Sequence, residues 1–221
     1  AKVFKKNNVP EGVSVLLNGD REVGEWLAND TRVPLISATG STRMGKSVGA
    51  AVGQRLGRAL LELGGNNAII ISDRADLDMS LIGAVFGAVG TCGQRCTSTR
   101  RLIIHDSVYD VFKEKLSKAY AQLRIGDPLD ERNHVGPLID TQAVGHYLNA
   151  LRAAKEQGAT VIVGGGVLDG PGYESGCYVK PAIIEAKPEL PIVQEETFAP
   201  ILYLLRYKGS IDEAIAIQNN V

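Results

Sequence analysis

The sequence predicts an α/β fold built on parallel sheets, and two observations support this. Apolar runs of strand length alternate along the chain with segments that have helical periodicity. Glycine accounts for 25 of the 221 residues and often clusters where one such segment ends and the next begins. Because parallel strands need a crossover connection, usually a helix, this alternation favours parallel pairing in a layered structure.

In the first part of the chain, three apolar runs alternate with two helical segments. The runs are at residues 13–17, 33–37 and 59–63, and glycine-containing turns follow them. Between the runs, residues 23–28 and 48–56 have the spacing of short helices. We therefore predict the order strand, helix, strand, helix, strand.

The second part begins at Gly64-Gly65, where the third strand stops abruptly and where we place the seam between two domains. Asp76 is expected to cap a helix that runs to Val89. Gly158 is expected to stop the last long helix of this part. The predicted strands are residues 68–71, 101–104, 161–163, 178–184 and 201–205, and the predicted helices are residues 76–89, 108–123 and 144–154.

The composition argues against several kinds of partner. Lys and Arg number 24 against 25 Asp and Glu, so no basic field attracts nucleic acid or an anionic membrane surface. No apolar run approaches the roughly 20 residues that span a bilayer, and no signal peptide is recognisable. Hydrophobic residues make up 44% of the chain, enough for a globular core.

The cysteine count and the first residue add two expectations. Three cysteines are too few for a disulfide scaffold and leave at least one thiol free, which fits a reducing cytoplasm. The chain begins at Ala1 without an initiator methionine, so we expect a fragment or a processed product.

Residues 40–47 (Gly-Ser-Thr-Arg-Met-Gly-Lys-Ser) match the phosphate loop of nucleotide hydrolases. Residues 69–73 resemble the apolar strand and Asp that hold Mg²⁺ in such enzymes. However, a glycine turn that opens a helix presents N–H groups to any phosphate, and a dinucleotide pyrophosphate is served equally well. A glycine-rich turn without a ligand is the third interpretation.

Cys96 and Glu62 are residues of the types that can act as a nucleophile and as a general base. Glu62 ends an apolar strand, where we expect it to be buried. Judged in isolation, a buried structural cysteine and a solvent-facing carboxylate are the commoner interpretations. A metal site at Cys92 and Cys96 is disfavoured because zinc takes four ligands and the histidines lack ligand spacing, so we expect no metal.

Four segments taken together resemble the aldehyde dehydrogenase superfamily in their order and spacing, over essentially the whole chain. Residues 64–70, 93–102 and 196–203 are further similar to the antiquitin group, the α-aminoadipic semialdehyde (piperideine-6-carboxylate) dehydrogenases. The four segments are residues 39–45 (Thr-Gly-Ser-Thr-Arg-Met-Gly), 61–65 (Leu-Glu-Leu-Gly-Gly), 93–96 (Gly-Gln-Arg-Cys) and 195–200 (Glu-Glu-Thr-Phe-Ala-Pro).

The resemblance implies a domain organisation. Residues 1–64 would be the C-terminal part of a Rossmann-like NAD-binding domain, and residues 65–221 would be most of an α/β catalytic domain. It also implies a homo-oligomer, a dimer or a tetramer, for the full-length protein.

The resemblance also assigns roles to individual residues. Cys96 would attack an aldehyde to give a thiohemiacetal and then a thioester, and Glu62 would activate the water that hydrolyses the thioester. NAD is the implied cofactor, with NADP left open. The residues implied to bind the cofactor are Gly40, Ser41, Gly45, Leu63, Glu196 and Phe198.

Arg95 is the residue from which we predict the class of substrate. In the antiquitin group the arginine before the nucleophile helps to bind the substrate carboxylate, which a guanidinium can grip with two hydrogen bonds. A surface arginine or one that tunes the thiol remains the alternative. The small-molecule substrate would then be a semialdehyde that carries a carboxylate.

The resemblance also implies that parts of the enzyme lie outside these residues. The oxyanion-hole asparagine of the superfamily would precede Ala1, and losing one oxyanion donor costs about 10²–10³ in rate. We therefore expect the isolated chain to be a poor or inactive enzyme. Three hypotheses remain: an aldehyde dehydrogenase, a P-loop nucleotide hydrolase and a catalytically incomplete fragment.

Overall fold

The computed structural model describes residues 2–221 and divides into two compact units at Gly64 and Gly65. The first unit ends at Gly64, and the second runs from Gly65 to Val221. Which unit binds NAD and which carries the nucleophile stays a prediction.

The first unit is organised around a parallel pair of strands. Strand β1 (Leu35–Thr39) and strand β2 (Arg58–Glu62) pair in parallel and are connected by helix α3 (Thr42–Gln54). Helix α2 (Arg21–Asn29) begins after Asp20, whose carboxylate accepts the Glu22 N–H at 3.1 Å. A short helix α1 (Lys2–Lys6) precedes these elements. The helix predicted at residues 23–28 and two of the three strands are confirmed within about two residues, whereas the helix predicted at residues 48–56 begins earlier, at Thr42.

The strand predicted at residues 13–17 is wrong for this structure. These residues form no helix or strand, and large apolar side chains there are exposed, Leu16 to 82%. A strand is defined by hydrogen bonds to a neighbour, and the apolar run finds no ladder partner among residues 2–221.

The second unit contains a mixed sheet of five strands, which are β3 (Asn67–Ile71), β4 (Thr99–His105), β5 (Thr160–Val163), β6 (Ala182–Glu185) and β7 (Ile201–Tyr207). Their order in the sheet is β3-β4-β7-β6-β5. All neighbours are parallel except β5 and β6, which are antiparallel. The predicted strand at residues 178–184 is shorter than expected, because Val179 makes only an isolated bridge with Val167.

The helices of the second unit begin and end where their capping residues predict. The carboxylate of Asp76 accepts hydrogen bonds from the Asp78 and Met79 N–H groups, both at 3.0 Å. Gly158 has φ +90° directly after the C-cap, a left-handed position that favours glycine. The helices are α4 (Leu77–Val89), α5 (Asp106–Ala121), α6 (Thr141–Glu156), α7 (Pro191–Gln194) and α8 (Ile211–Asn219).

The core of the second unit is the apolar sheet with α4, α5 and α6 packed against it. Strand β4 is buried over nearly its whole length, Arg101 included. The Arg101 guanidinium donates to the carbonyls of Asn66, Ile217 and Gln218, so it lies against the C-terminal turn of α8. The partial negative charge of that helix end suits a buried cation.

Candidate active site

In the first unit, the carboxyl ends of β1 and β2 bring three predicted site residues together. Glu62 is the last residue of β2 and is paired with Thr39. The Gly40 N–H donates to the Glu62 carbonyl at 3.0 Å, and Ser41 caps α3 by accepting the Met44 N–H at 3.2 Å. Ligands of open parallel sheets bind at this edge of the strands.

The Glu62 side chain is exposed, which corrects the expectation that it is buried. The expectation treated the apolar residues before Glu62 as part of a covered strand. In the structure β2 has one hydrogen-bonded neighbour, and four of its five residues are exposed. A carboxylate in this position is open to water, as a group that activates water must be.

Gly45 and Leu63 contact each other. The Gly45 N–H is bonded to the Ser41 carbonyl at 2.9 Å inside α3, and a Cβ on Gly45 would lie 2.5 Å from Leu63 Cδ2. The structure therefore explains this glycine by close packing. Contact of Gly45 or Leu63 with a cofactor stays a prediction.

The nucleotide-hydrolase alternative is not supported. In a phosphate loop the residues between the two glycines wrap the phosphates as a loop, whereas here α3 begins at Thr42 and Gly45 is already helical. The supposed Mg²⁺ strand, β3, also belongs to a different sheet from β1. What remains is a helix N-terminus whose first amides lack intrahelical acceptors, as a pyrophosphate requires.

A groove of about 930 Å³ opens beside this helix N-terminus, within the first unit. Residues of α2, β1 and α3 line it, including Thr39, Ser41 and Met44. Its size and largely apolar lining suit a planar heterocycle, with polar groups at the N-terminus of α3. These residues thus fit a dinucleotide.

In the second unit, an unusual turn leads to Cys96. After α4, a 3-10 helix (Gly90–Gly93) contains Thr91, Cys92 and Gly93 at φ +54°, +53° and +68°. A Cβ on Gly93 would lie 2.5 Å from the Ala199 carbonyl, so only glycine allows this approach. The turn therefore seats the segment before Cys96 against the segment 195–200.

The backbone of Cys96 is fixed from β3. The Asn67 Nδ2 donates to the Cys96 carbonyl at 2.6 Å and to the Ser98 carbonyl at 3.0 Å. A Cβ on Gly65 would lie 3.1 Å from the Cys96 carbonyl, so a larger residue would crowd it. The Cys96 thiol itself is exposed. A fixed backbone with an accessible sulfur is what a nucleophile requires.

Gln94 ties the same loop to the residues before α6. Its amide nitrogen donates to the Pro137 carbonyl at 3.2 Å, and its oxygen accepts the Ile139 N–H at 2.9 Å. The loop is thus held on two sides while the side chain of Cys96 is left open.

In the part of the chain that the structure describes, Arg95 donates a hydrogen bond through only one of its three guanidinium nitrogens. Its carbon Cζ lies 5.3 Å from the centre of the Phe86 ring, and its Nε donates to the Thr91 Oγ1 at 2.7 Å. Its two terminal nitrogens have no acceptor within residues 2–221. The Phe86 side chain is 66% exposed, so an apolar face adjoins an unpaired cation.

Glu196 and Phe198 lie together in the segment between α7 and β7. One oxygen of Glu196, Oε1, accepts the Gly65 N–H at 3.1 Å and pairs with Arg100 at 3.1 Å. Arg100 lies over the Phe198 ring at 5.3 Å, and Phe198 is 46% exposed. Both predicted cofactor residues thus keep an accessible part.

The other two cysteines, which we interpreted as structural or incidental, are buried. Burial raises the pKa of Cys92 to about 12, so this thiol stays protonated near neutral pH and is a poor nucleophile. Among residues 2–221, no group of three or more His, Cys, Asp or Glu side chains has the arrangement of a metal site.

We expect a thiol reagent near neutral pH to label Cys96 and to leave Cys92 and Cys177 unmodified in the folded protein. The physical reason is that only the Cys96 sulfur is accessible. Peptide mass spectrometry after brief alkylation measures the three sites, and alkylation in denaturant is the control in which all three react. Equal labelling of Cys92 and Cys96 without denaturant would contradict the burial described here.

The motifs used in the sequence analysis did not single out Asn67, Gln94 or Arg100 as site residues. Arg100 lies next to Arg101 in a segment that indicated only the family and not a role for either arginine. Their acceptors are mainly backbone carbonyls, which leave no mark in a sequence.

Within residues 2–221, no helix has the length and apolar character needed to cross a membrane.

The chain belongs to the aldehyde dehydrogenase family, whose model matches residues 1–221. It is 45% identical over 221 residues to aldehyde dehydrogenase family 7 member A1 of Pisum sativum and covers 42% of that protein. It is 47% identical over 222 residues to the α-aminoadipic semialdehyde dehydrogenase of Bos taurus and covers 40% of that protein. In both cases 100% of this chain is covered. The resemblance predicted from the four segments is thereby confirmed.

The fold agrees with this family. The structure matches betaine aldehyde dehydrogenase from Staphylococcus aureus, crystallised in complex with NAD⁺, with a TM-score of 0.93 and 28% identity. The match covers 99% of this chain and 44% of that one. The predicted α/β class is confirmed, and the chain spans less than half the length of the relatives it matches.

Proposed function

We propose that this chain forms the nucleophile-bearing part of an NAD-dependent aldehyde dehydrogenase. The substrate class we propose is a semialdehyde that carries a carboxylate, such as α-aminoadipic semialdehyde, and the product is the corresponding acid. The observation that carries the proposal is the exposed Cys96 thiol on a loop that Asn67 and Gln94 fix. The names of the relatives support the substrate class.

The first step belongs to Cys96. Its thiolate sulfur would attack the aldehyde carbon, forming a C–S bond and placing the carbonyl electron pair on oxygen as a thiohemiacetal. The hydrogen bonds from Asn67 to the loop carbonyls limit the positions that the sulfur can take. The chemistry that NAD⁺ would supply when bound is acceptance of the hydride from the former aldehyde carbon, which would leave a thioester on Cys96.

Hydrolysis of the thioester is the step we assign to Glu62. Its exposed carboxylate would take a proton from water, the resulting hydroxide would add to the thioester carbon, and the Cys96 sulfur would leave. The acid product and the free thiolate result.

Individual residues are proposed to contact different parts of the cofactor. Gly40 and Ser41, with the first turn of α3, would receive the pyrophosphate. Glu196 would accept a hydrogen bond from the nicotinamide ribose, and Phe198 would pack near the nicotinamide. Gly45 and Leu63, which pack against each other beside this turn, would also contact the cofactor. NAD is proposed over NADP by analogy with the antiquitin relatives.

The direct test measures NADH formation when α-aminoadipic semialdehyde and NAD⁺ are added to the longest form of the protein that contains this chain. Parallel assays with NADP⁺ and with Mg-ATP, followed for phosphate release, test the other cofactor and the hydrolase alternative. We expect reduced nicotinamide and no phosphate release. Turnover of ATP without aldehyde oxidation would overturn the proposal.

Arg95 gives a prediction about substrate choice. Its unpaired terminal nitrogens would bind the substrate carboxylate, while the apolar face of Phe86 would contact the carbon chain. Replacement Arg95→Met should raise KM for α-aminoadipic semialdehyde by about 10–100-fold, because hydrogen bonds to charged groups contribute about 1.5–3 kcal/mol. Hexanal, which has the same number of carbons but neither the carboxylate nor the amino group, serves as the comparison substrate and should keep its KM.

The same assay can contradict the assignment. If Arg95→Met lowers kcat for both aldehydes equally and leaves both KM values unchanged, Arg95 acts on the loop of Cys96 and does not recognise the carboxylate.

A further inference from the structure

Arg100, the second residue of β4, uses its whole guanidinium to connect separate parts of the site. Its side chain is only 3% exposed. A guanidinium has five N–H donors, and each of them has an acceptor here. The acceptors are the Gly65 carbonyl (Nε, 3.2 Å), the Gly93 and Thr197 carbonyls (Nη1, 3.1 and 2.7 Å), and the Arg95 carbonyl and Glu196 Oε1 (Nη2, 3.0 and 3.1 Å).

The buried charge of Arg100 is balanced by one carboxylate. Burial lowers the pKa of the Arg100 guanidinium, and the neighbouring Glu196 opposes that shift. An arginine remains protonated in proteins even so. Within residues 2–221, Glu196 is the only acidic side chain that pairs with it. Removing either partner leaves a buried or half-buried charge without compensation.

A single nitrogen of Arg100 donates hydrogen bonds both to the backbone before Cys96 and to Glu196. Nη2 donates to the carbonyl of Arg95, the residue directly before Cys96, and also to Oε1 of Glu196. Lysine cannot replace this arrangement, because its ammonium is a compact charge without the planar fork. The position of Glu196 and the backbone before Cys96 are therefore set by the same side chain.

Glu196 is anchored through one oxygen only. Oε1 accepts from the Gly65 N–H and from Arg100, whereas Oε2 accepts no hydrogen bond from residues 2–221. The side chain is 23% exposed. A carboxylate with one oxygen fixed and the other open is preorganised to accept a hydrogen bond from a ligand hydroxyl.

We propose that Arg100 is a positioning residue that holds the Glu196 carboxylate for the cofactor ribose and the backbone before Cys96 in a single geometry. The part that concerns the ribose rests on the proposed function. The part that concerns the Cys96 loop rests on the hydrogen bonds to the Gly93 and Arg95 carbonyls alone.

Arg101 offers a matched control one residue further along β4. It is buried to the same degree and donates to carbonyls, but its acceptors lie in Asn66 and in the last turn of α8. The substitution Arg101→Lys therefore disturbs a buried guanidinium of the same strand without touching Glu196 or the residues before Cys96.

The experiment compares Arg100→Lys, Glu196→Gln, the double variant and Arg101→Lys by two measurements. Hydrogen–deuterium exchange of residues 90–98, without cofactor, reports on the loop. Titration with NAD⁺ reports on Glu196. We expect Arg100→Lys to speed exchange and to weaken NAD⁺ binding, each by about tenfold, as for residues coupled in one network. Arg101→Lys should lower Tm and change neither measurement.

Two further results are expected from the Glu196 variants. Glu196→Gln should speed exchange in residues 90–98, although Glu196 has no hydrogen bond to them, because Arg100 loses its counter-charge. The double variant should bind NAD⁺ no more weakly than Glu196→Gln alone. If Arg100→Lys does not fold, exchange in Glu196→Gln still decides the coupling.

Equal exchange rates in Arg100→Lys and Arg101→Lys would overturn the proposal. So would a loss of NAD⁺ affinity in the double variant that equals the product of the losses in the two single variants. Unchanged exchange in Glu196→Gln would do the same. Failure of the wild-type protein to bind NAD⁺ or NADP⁺ is a different result. It would contradict the proposed function and the part of the proposal that concerns the cofactor ribose. The exchange measurements would still test the part that concerns the backbone before Cys96.

Discussion

Replacement Cys96→Ala should lower the rate of aldehyde oxidation by at least about 10³-fold, since no other accessible thiol in residues 2–221 can form the thiohemiacetal. The substitution removes one exposed sulfur and leaves the backbone acceptors of Asn67 and Arg100 in place. We therefore expect Tm and the Kd for NAD⁺ to stay close to those of the wild type. Steady-state kinetics, thermal unfolding and cofactor titration measure the three quantities.

The matched control for this variant is Cys177→Ala, which removes the thiol of a buried cysteine that the proposal gives no role. Its kcat should remain at the wild-type value, with at most a small loss of stability. A Cys96→Ala protein that still oxidises aldehydes within tenfold of the wild-type rate would show that the sulfur is not the nucleophile.

The elements that were predicted correctly are those whose signals are local. Asp76 could be identified as a cap because a carboxylate before a helix accepts amides of the first turn, and Gly158 as a stop because glycine adopts positive φ freely. The run at residues 13–17 has equally good strand composition and forms no strand, because pairing depends on a partner elsewhere in the structure.

The turn before Cys96 could not be predicted from composition. Thr91 and Cys92 adopt positive φ, which is uncommon for residues with a Cβ, and only Gly93 gives a sequence signal. The turn ends at Gly93, which packs against the Ala199 carbonyl more than a hundred residues away in the sequence. A contact between residues so far apart leaves no signal in the local sequence.

In the candidate site, too, local motifs could be recognised in the sequence and long-range contacts could not. Family motifs indicated Cys96 and Glu196, but the side chains that hold them were not assigned. Arg100 bonds to four carbonyls and one carboxylate, and any residue can supply a carbonyl. Gly45 shows that a sequence motif and a packing contact can both account for one glycine. The phosphate-like motif predicts that Gly45 contacts a ligand, and the structure adds a packing contact with Leu63 that the motif does not indicate.

Replacement Glu62→Gln should separate the two halves of the reaction. If Glu62 activates only the hydrolytic water, the variant still forms the thioester and releases one equivalent of NADH per site in a fast burst. Steady-state turnover should fall by about 10²–10⁴-fold, the usual contribution of a general base. The side chain is exposed at the end of β2, so the amide should be accommodated without loss of stability. Stopped-flow detection of NADH measures the burst.

The control for Glu62→Gln is Glu131→Gln, the same chemical change at an exposed carboxylate in the loop between α5 and α6. It should leave both the burst and the steady state unchanged. Mass spectrometry of the quenched Glu62→Gln reaction should find the acyl group on the peptide that contains Cys96, since the thioester accumulates when its hydrolysis is slow. Normal steady-state turnover would exclude Glu62 as the base. Loss of the burst itself would move Glu62 to an earlier step, because a carboxylate that only hydrolyses the thioester has no effect before the thioester exists.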